Sequence, residues 1–180
     1  MLIKIDGDQL TLDEFFRVAK MKTRVELSET AITKIKHSRK ILEQFIKSEK
    51  AYYGINTGFG ALATKKIDNK DLMKLQKNLI KSHTAGVGDF LPEEIVRGII
   101  LLRANVLAKG YSGVRLKLVQ LLLDLLNHHF VPFIPAKGSV GASGDLVPLS
   151  HLASVLIGEG YVSFRGKKVR SRTALKQAGL

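Results

Sequence analysis

The chain has 180 residues, 16 glycines, no cysteine and a formal net charge of +13. Disulfides and thiolate metal sites are excluded, and neither the N-terminal residues nor the apolar run at 118–126, broken by Gln120 and Asp124, has the unbroken length of a leader or a membrane span. The charge points first to nucleic acid, but the basic residues are scattered along helix faces with a local excess only at 165–172, and lack the interleaved aromatics that stack bases; solvated surface on a cytoplasmic protein is the expectation.

Leu2-Ile3-Lys4-Ile5 alternates in polarity and predicts a short strand closed by an Asp6-Gly7 turn. Thr11 and Glu14 have capping-box spacing and predict a short helix. Ser28 suits the N-cap of a longer helix carrying Ile32, Ile35, Ile41, Leu42 and Phe45 and ending near Lys50. Residues 52–60, YYGINTGFG, combine three glycines with no charge and predict a compact, covered loop. Asp68 or Asn69 caps the next helix, through Leu72, Leu75, Leu79 and Ile80 to Ser82 and His83 before a glycine turn. Pro92 opens a helix that runs to Gly110, and Ser112 caps another over 114–127 that is apolar on most faces, as for a helix buried in a larger assembly. His128 and His129 are adjacent rather than four apart, so they form no metal pair. Asp145 caps an apolar helix over 146–157, with Pro148 in its first turn, and Tyr161 to Arg170 reads as a hairpin turning at Arg165-Gly166.

Chemistry concentrates at residues 138–145, GSVGASGD, where three small residues precede a helix. Gly144 lacks a Cβ, so its amide nitrogen can approach the carbonyl carbon of Ala142; ring closure and loss of the Ser143 hydroxyl as a second water would leave an electrophilic methylene. Ser143 as a hydrolase nucleophile fits poorly, because Asp145 stands where a G-x-S-x-G elbow needs glycine. The competing structural reading is a glycine turn whose free N–H groups bind an anion.

The run at 138–153, GSVGASGDLVPLSHLA, resembles the signature of the aromatic amino acid ammonia-lyase and aminomutase family, and YGINTGFG at 53–60 resembles its inner loop. Val147 and Ser150 stand where the commonest family sequence has Ala. The resemblance implies a mainly α fold, the N-terminal domain of the fumarase/aspartase-like superfamily, with long glycine-rich active-site loops and a small β-hairpin. It further implies that residues 1–180 form one domain ending before the central helical bundle is complete, with further substrate-binding residues downstream. The implied cofactor is 4-methylidene-imidazole-5-one (MIO), formed autocatalytically from Ala142, Ser143 and Gly144, with no metal or nucleotide. Tyr53 takes the role of catalytic base, which requires a phenol of ordinary pKa about 10 to be lowered by a positive field or hydrogen bonds. Gly54, Asn56, Gly60 and Asp145 support the loops. Ser82 and His83 resemble the histidine-selective branch, so the implied reaction converts L-histidine to trans-urocanate, the first step of histidine degradation, in a homotetramer whose sites are shared between subunits. The alternatives are a phenylalanine or tyrosine ammonia-lyase or aminomutase of the same family and, from another class, a non-catalytic basic fragment that binds a partner.

Overall fold

The structure, a computed structural model, describes residues 2–48, 50–60, 63–142 and 144–180, leaving aside the side chain of Asn69. It is mainly α, with small sheets at its margins. Strand β1 (Leu2–Ile5) pairs in parallel with β2 (Arg24–Leu27), matching Ile3 to Val25 and Ile5 to Leu27. Between them lies α1 (Leu12–Ala19), where Thr11 Oγ1 accepts from Glu14 N (3.2 Å) and Glu14 Oε2 accepts from Thr11 N (3.0 Å), the reciprocal pair that Thr11-x-x-Glu14 predicts. Helix α2 (Glu29–Lys47) starts at the Ser28 cap, its Oγ accepting from Ala31 N, but buries only Ala31 and Ile35; Ile41 and Phe45 remain exposed, and the helix stops at Lys47 rather than Lys50.

The core is built on α4 (Glu93–Ala108) and α5 (Leu116–Asn127), reached through α3 (Asn69–His83) and strand β3 (Val87–Phe90). Val96, Ile100, Leu101 and Ala104 of α4 interlock with Val119, Leu122, Leu125 and Leu126 of α5, all buried. Helix α5 is covered largely within this chain, by α4, β2, α2 and α6 (Leu146–Leu156). It begins at Leu116, without a Ser112 cap: Gly113 adopts φ +62° and lies against Leu42, which holds the preceding residues out of the helix. Strands β4 (Val131–Pro132), β6 (Tyr161–Phe164) and β7 (Lys167–Arg170) form an antiparallel sheet whose β6–β7 hairpin is the predicted one, followed by α7 (Ser171–Gln177). Phe130 and Phe164 stack 4.3 Å apart behind it.

One basic residue departs from the surface expectation. Arg97 is fully buried, and its guanidinium donates to the carbonyls of Val18 (2.8 and 3.2 Å), Ala19 (3.1 Å) and Leu126 (3.1 Å). Helix C-termini leave carbonyls without intrahelical partners, and Arg97 answers those of α1 and α5 together. Asn127 similarly brackets β2, accepting from Val25 N (3.0 Å) and donating to Val25 O (2.9 Å).

Candidate active site

The first candidate segment is a loop held by polar contacts. Asn56 is buried, its Oδ1 accepting from Tyr52 N (2.7 Å), its Nδ2 donating to Lys50 O (2.9 Å) and its carbonyl accepting from Ile67 N (2.8 Å). Thr57, also buried, accepts from Gly54 N (3.3 Å) and donates to Gly58 O (2.9 Å). Gly54 and Gly60 take φ +73° and +56°, which lets the loop reverse around this pair. The reversal presents Tyr53 outward: it is 66% exposed, meets Phe59 edge-on at 5.8 Å, and lines a groove with His37, Ile41, Phe45 and Tyr111. The cover expected for an uncharged aromatic loop is thus not provided for Tyr53, and no described residue of 138–145 lines that groove.

Ser82 and His83 end α3. His83 Nδ1 lies 2.9 Å from Leu79 O and 3.0 Å from Ser82 Oγ, which itself donates to Leu79 O (2.9 Å). A carbonyl only accepts, so Nδ1 carries the proton when it bonds Leu79, and Nε2 is the nitrogen left for a ligand. Through Nδ1 the ring does the helix-end work open to any C-terminal histidine.

The third segment follows strand β5 (Pro135–Lys137), which pairs antiparallel with β3, matching Val87 to Lys137. Beyond it the backbones of Ala142 and Gly144 pair as an isolated bridge; Ser143 lies outside the described residues. Gly144 has φ +86°, and a Cβ there would meet nothing within 4 Å. Asp145 does not cap α6. Its ψ of 69° departs from the extended N-cap geometry, and its Oδ1 instead accepts from Ser139 Oγ (2.7 Å), whose oxygen also lies 3.4 Å from Gly141 N. The carboxylate therefore ties the two ends of the loop together.

The β3–β5 pairing brings the Ser82–His83 end of α3 to the base of the 138–145 loop, whereas the Tyr53 loop packs elsewhere, on α2. The junction is tight: a Cβ on Gly86 would stand 3.0 Å from both His151 Nε2 and Pro135 Cβ, and 3.1 Å from Val147 Cγ1. Gly86 N donates to His151 Nε2 (3.1 Å), and burial lowers the pKa of His151. Beside it opens a cleft of about 480 Å³ lined by Lys81, His151, Glu159, Tyr161 and Lys168. Lys77 and Lys81 lie 3.2 and 3.4 Å from Glu159, and the hydrogen bond from Lys77 leads in holding this carboxylate below its usual range. Sequence reasoning passed over His151, although an imidazole in a helix whose only other polar side chains are Ser150 and Ser154 signals a polar partner elsewhere. Among the described residues no group of His, Asp or Glu could hold a metal, and no helix is long and apolar enough to cross a membrane.

The chain is 52% identical over 178 residues to histidine ammonia-lyase of Myxococcus xanthus, and 50% identical over the same length to that of Caldanaerobacter subterraneus; in each case this is 99% of this chain and 35% of the relative. The chain thus spans about a third of the length of these relatives. Among solved structures, histidine ammonia-lyase from Trypanosoma cruzi superposes with TM-score 0.91 at 38% identity, over 100% of this chain and 34% of that one. Tyrosine aminomutase from Streptomyces globisporus gives 0.92 at 39%, also over 100% and 34%. A sequence profile described as aromatic amino acid lyase matches residues 10–180, and the chain belongs to that family.

Proposed function

We propose that the chain is the N-terminal part of a carbon–nitrogen lyase that eliminates ammonia from L-histidine to give trans-urocanate. The observation that carries the reading is the identity of about half the residues, over 178 positions, to histidine ammonia-lyases.

The residues at 142 and 144 fit the implied MIO ring. Their backbones pair with one another, and Gly144, at φ +86°, carries no Cβ to crowd the ring. Ala142, Ser143 and Gly144 would supply the ring atoms, Ser143 losing its hydroxyl. Once formed, the group supplies an electron-withdrawing methylene. The chain's own residues do the rest. Asp145 holds the loop closed through Ser139, and the N-terminus of α6 offers partial positive charge beside it. His83 Nε2, with Nδ1 committed to Leu79, meets the substrate imidazole as an acceptor. Tyr53 removes the β-proton. Its outward position, on a groove that no described residue of 138–145 lines, supports a site shared between copies in a homotetramer.

A second reading, an aminomutase acting on tyrosine, draws on the likeness to the Streptomyces globisporus enzyme. The test is intact mass with peptide mapping across 135–152, then turnover of L-histidine, L-tyrosine and L-phenylalanine. A two-water deficit confined to 142–144 together with urocanate formation is expected; turnover of tyrosine in preference to histidine would overturn the substrate assignment.

A further inference from the structure

Three segments converge below the 138–145 loop. The turn after His83 arrives with Gly86, the strand leading to the loop with Pro135 and Gly138, and α6 with Val147 and His151. A Cβ on Gly138 would stand 3.2 Å from Val147 Cγ1 and 3.3 Å from Gly86 Cα, so the backbones here are at contact distance. At the centre lies the bond from Gly86 N to His151 Nε2 (3.1 Å). A backbone N–H only donates, so Nε2 must present a lone pair, and a neutral ring then carries its proton on Nδ1. Burial lowers the pKa of His151 and so favours that neutral state. One turn further along α6, Ser154 Oγ donates to His151 O (2.8 Å).

We propose that His151 is a positioning residue for the lyase reaction: by accepting from Gly86, its ring fixes the His83 turn against the helix that carries the Ala142–Gly144 loop. The inference rests on the reading of His83 as the imidazole contact, since displacing its turn then displaces the substrate. It assigns to His151 neither contact with substrate nor proton transfer.

The test compares His151→Leu, which fills the space without an acceptor, with His151→Gln, whose Oε1 lies the same number of bonds from Cα as Nε2. In the 180-residue chain, hydrogen exchange at the Gly86 amide is expected to quicken about tenfold in the Leu variant, the loss of one hydrogen bond, and to return toward the parent rate in the Gln variant. In kinetics of the full-length enzyme with L-histidine, KM is expected to rise about tenfold with Leu at little change in kcat, with recovery in Gln. Equal effects of Leu and Gln on exchange or on KM would reduce His151 to packing and overturn the proposal, as would unchanged exchange at Gly86 in the Leu variant. A full-length parent enzyme with neither the two-water deficit nor turnover of L-histidine would sink the lyase reading instead, and Gly86 exchange would still decide whether His151 holds the turn.

Discussion

Two regions of the molecule are built on different terms. The framework of β1, β2, α1, α4 and α5 buries apolar side chains throughout, from Ile3 to Leu126. By contrast, among the described residues no apolar side chain between Ile35 and Val96 is buried, and between Ile134 and Leu152 only that of Pro135 is. Tyr53, Ser82, His83, Ala142, Gly144, Asp145 and His151 all lie in those two intervals. The first region is held by the hydrophobic effect, and the second by Asn56, Thr57, the Ser139–Asp145 tie and the Gly86–His151 bond. The difference teaches that the site segments can be altered chemically without unfolding the chain, and that their geometry hangs on a few polar contacts.

Substitutions in the framework sharpen the contrast most. Arg97→Met should destabilise by about 4 kcal/mol in chemical denaturation, because the C-terminal carbonyls of Val18 and Ala19 lose a buried charged donor. Leu125→Ala should cost about 3 kcal/mol, through lost transfer energy and a residual cavity at a fully buried position. Gly113→Ala should cost about 1–2 kcal/mol, since φ is +62° and a Cβ would stand 2.5 Å from Leu42 Cδ1. A Leu125→Ala chain as stable as the parent would break the division into two regions.

Acid should act on histidines in both regions. Burial leads in lowering the pKa of His151 and of His129, where Arg97 and Lys22 add to the effect. A depressed histidine pKa means that the unfolded chain binds more protons in the interval between the folded and unfolded values. The stability tied to the neutral rings is therefore complete above about pH 6.5 and declines as pH falls toward the folded values. Thermal melts from pH 7.5 to 5 should show Tm falling, and part of the fall should vanish in His151→Gln.

Much of this architecture was legible in the sequence, because the signals were local. The Thr11–Glu14 box, the Ser28 cap and the hairpin turning at Arg165-Gly166 each depend on residues within a few positions of one another. What escaped was long-range. Strand β2 pairs with a strand more than twenty residues away. Nothing near Arg97 announces that it will answer carbonyls on two other helices. Asp145 was expected to meet the helix amides, but at ψ 69° it makes no side-chain cap and accepts from Ser139 instead. The site segments were readable as motifs, yet their grouping was not. The meeting of the His83 turn with the 138–145 loop depends on β3 finding β5 about fifty residues on, and on glycine at 86 and 138 to let the backbones touch.

The smallest effect on stability should accompany the largest on activity. Tyr53 is 66% exposed and its ring meets Phe59 only edge-on, so Tyr53→Phe, which removes one hydroxyl and keeps the ring, should change stability by less than about 0.5 kcal/mol. On the proposed function the ring would form from residues 142–144, and Ala142 and Gly144 do not line the Tyr53 groove, so the two-water mass deficit should persist in the variant. A base that takes the β-proton is needed at every turnover, so kcat for L-histidine should fall by about a hundredfold or more. These three readouts separate the roles. Loss of stability would mean that the Tyr53 hydroxyl supports the fold, loss of the mass deficit would place it in ring formation, and unchanged kcat would remove it as the base. Only a stable, cyclised and slow variant fits a loop that holds a chemical group outward from a framework built without it.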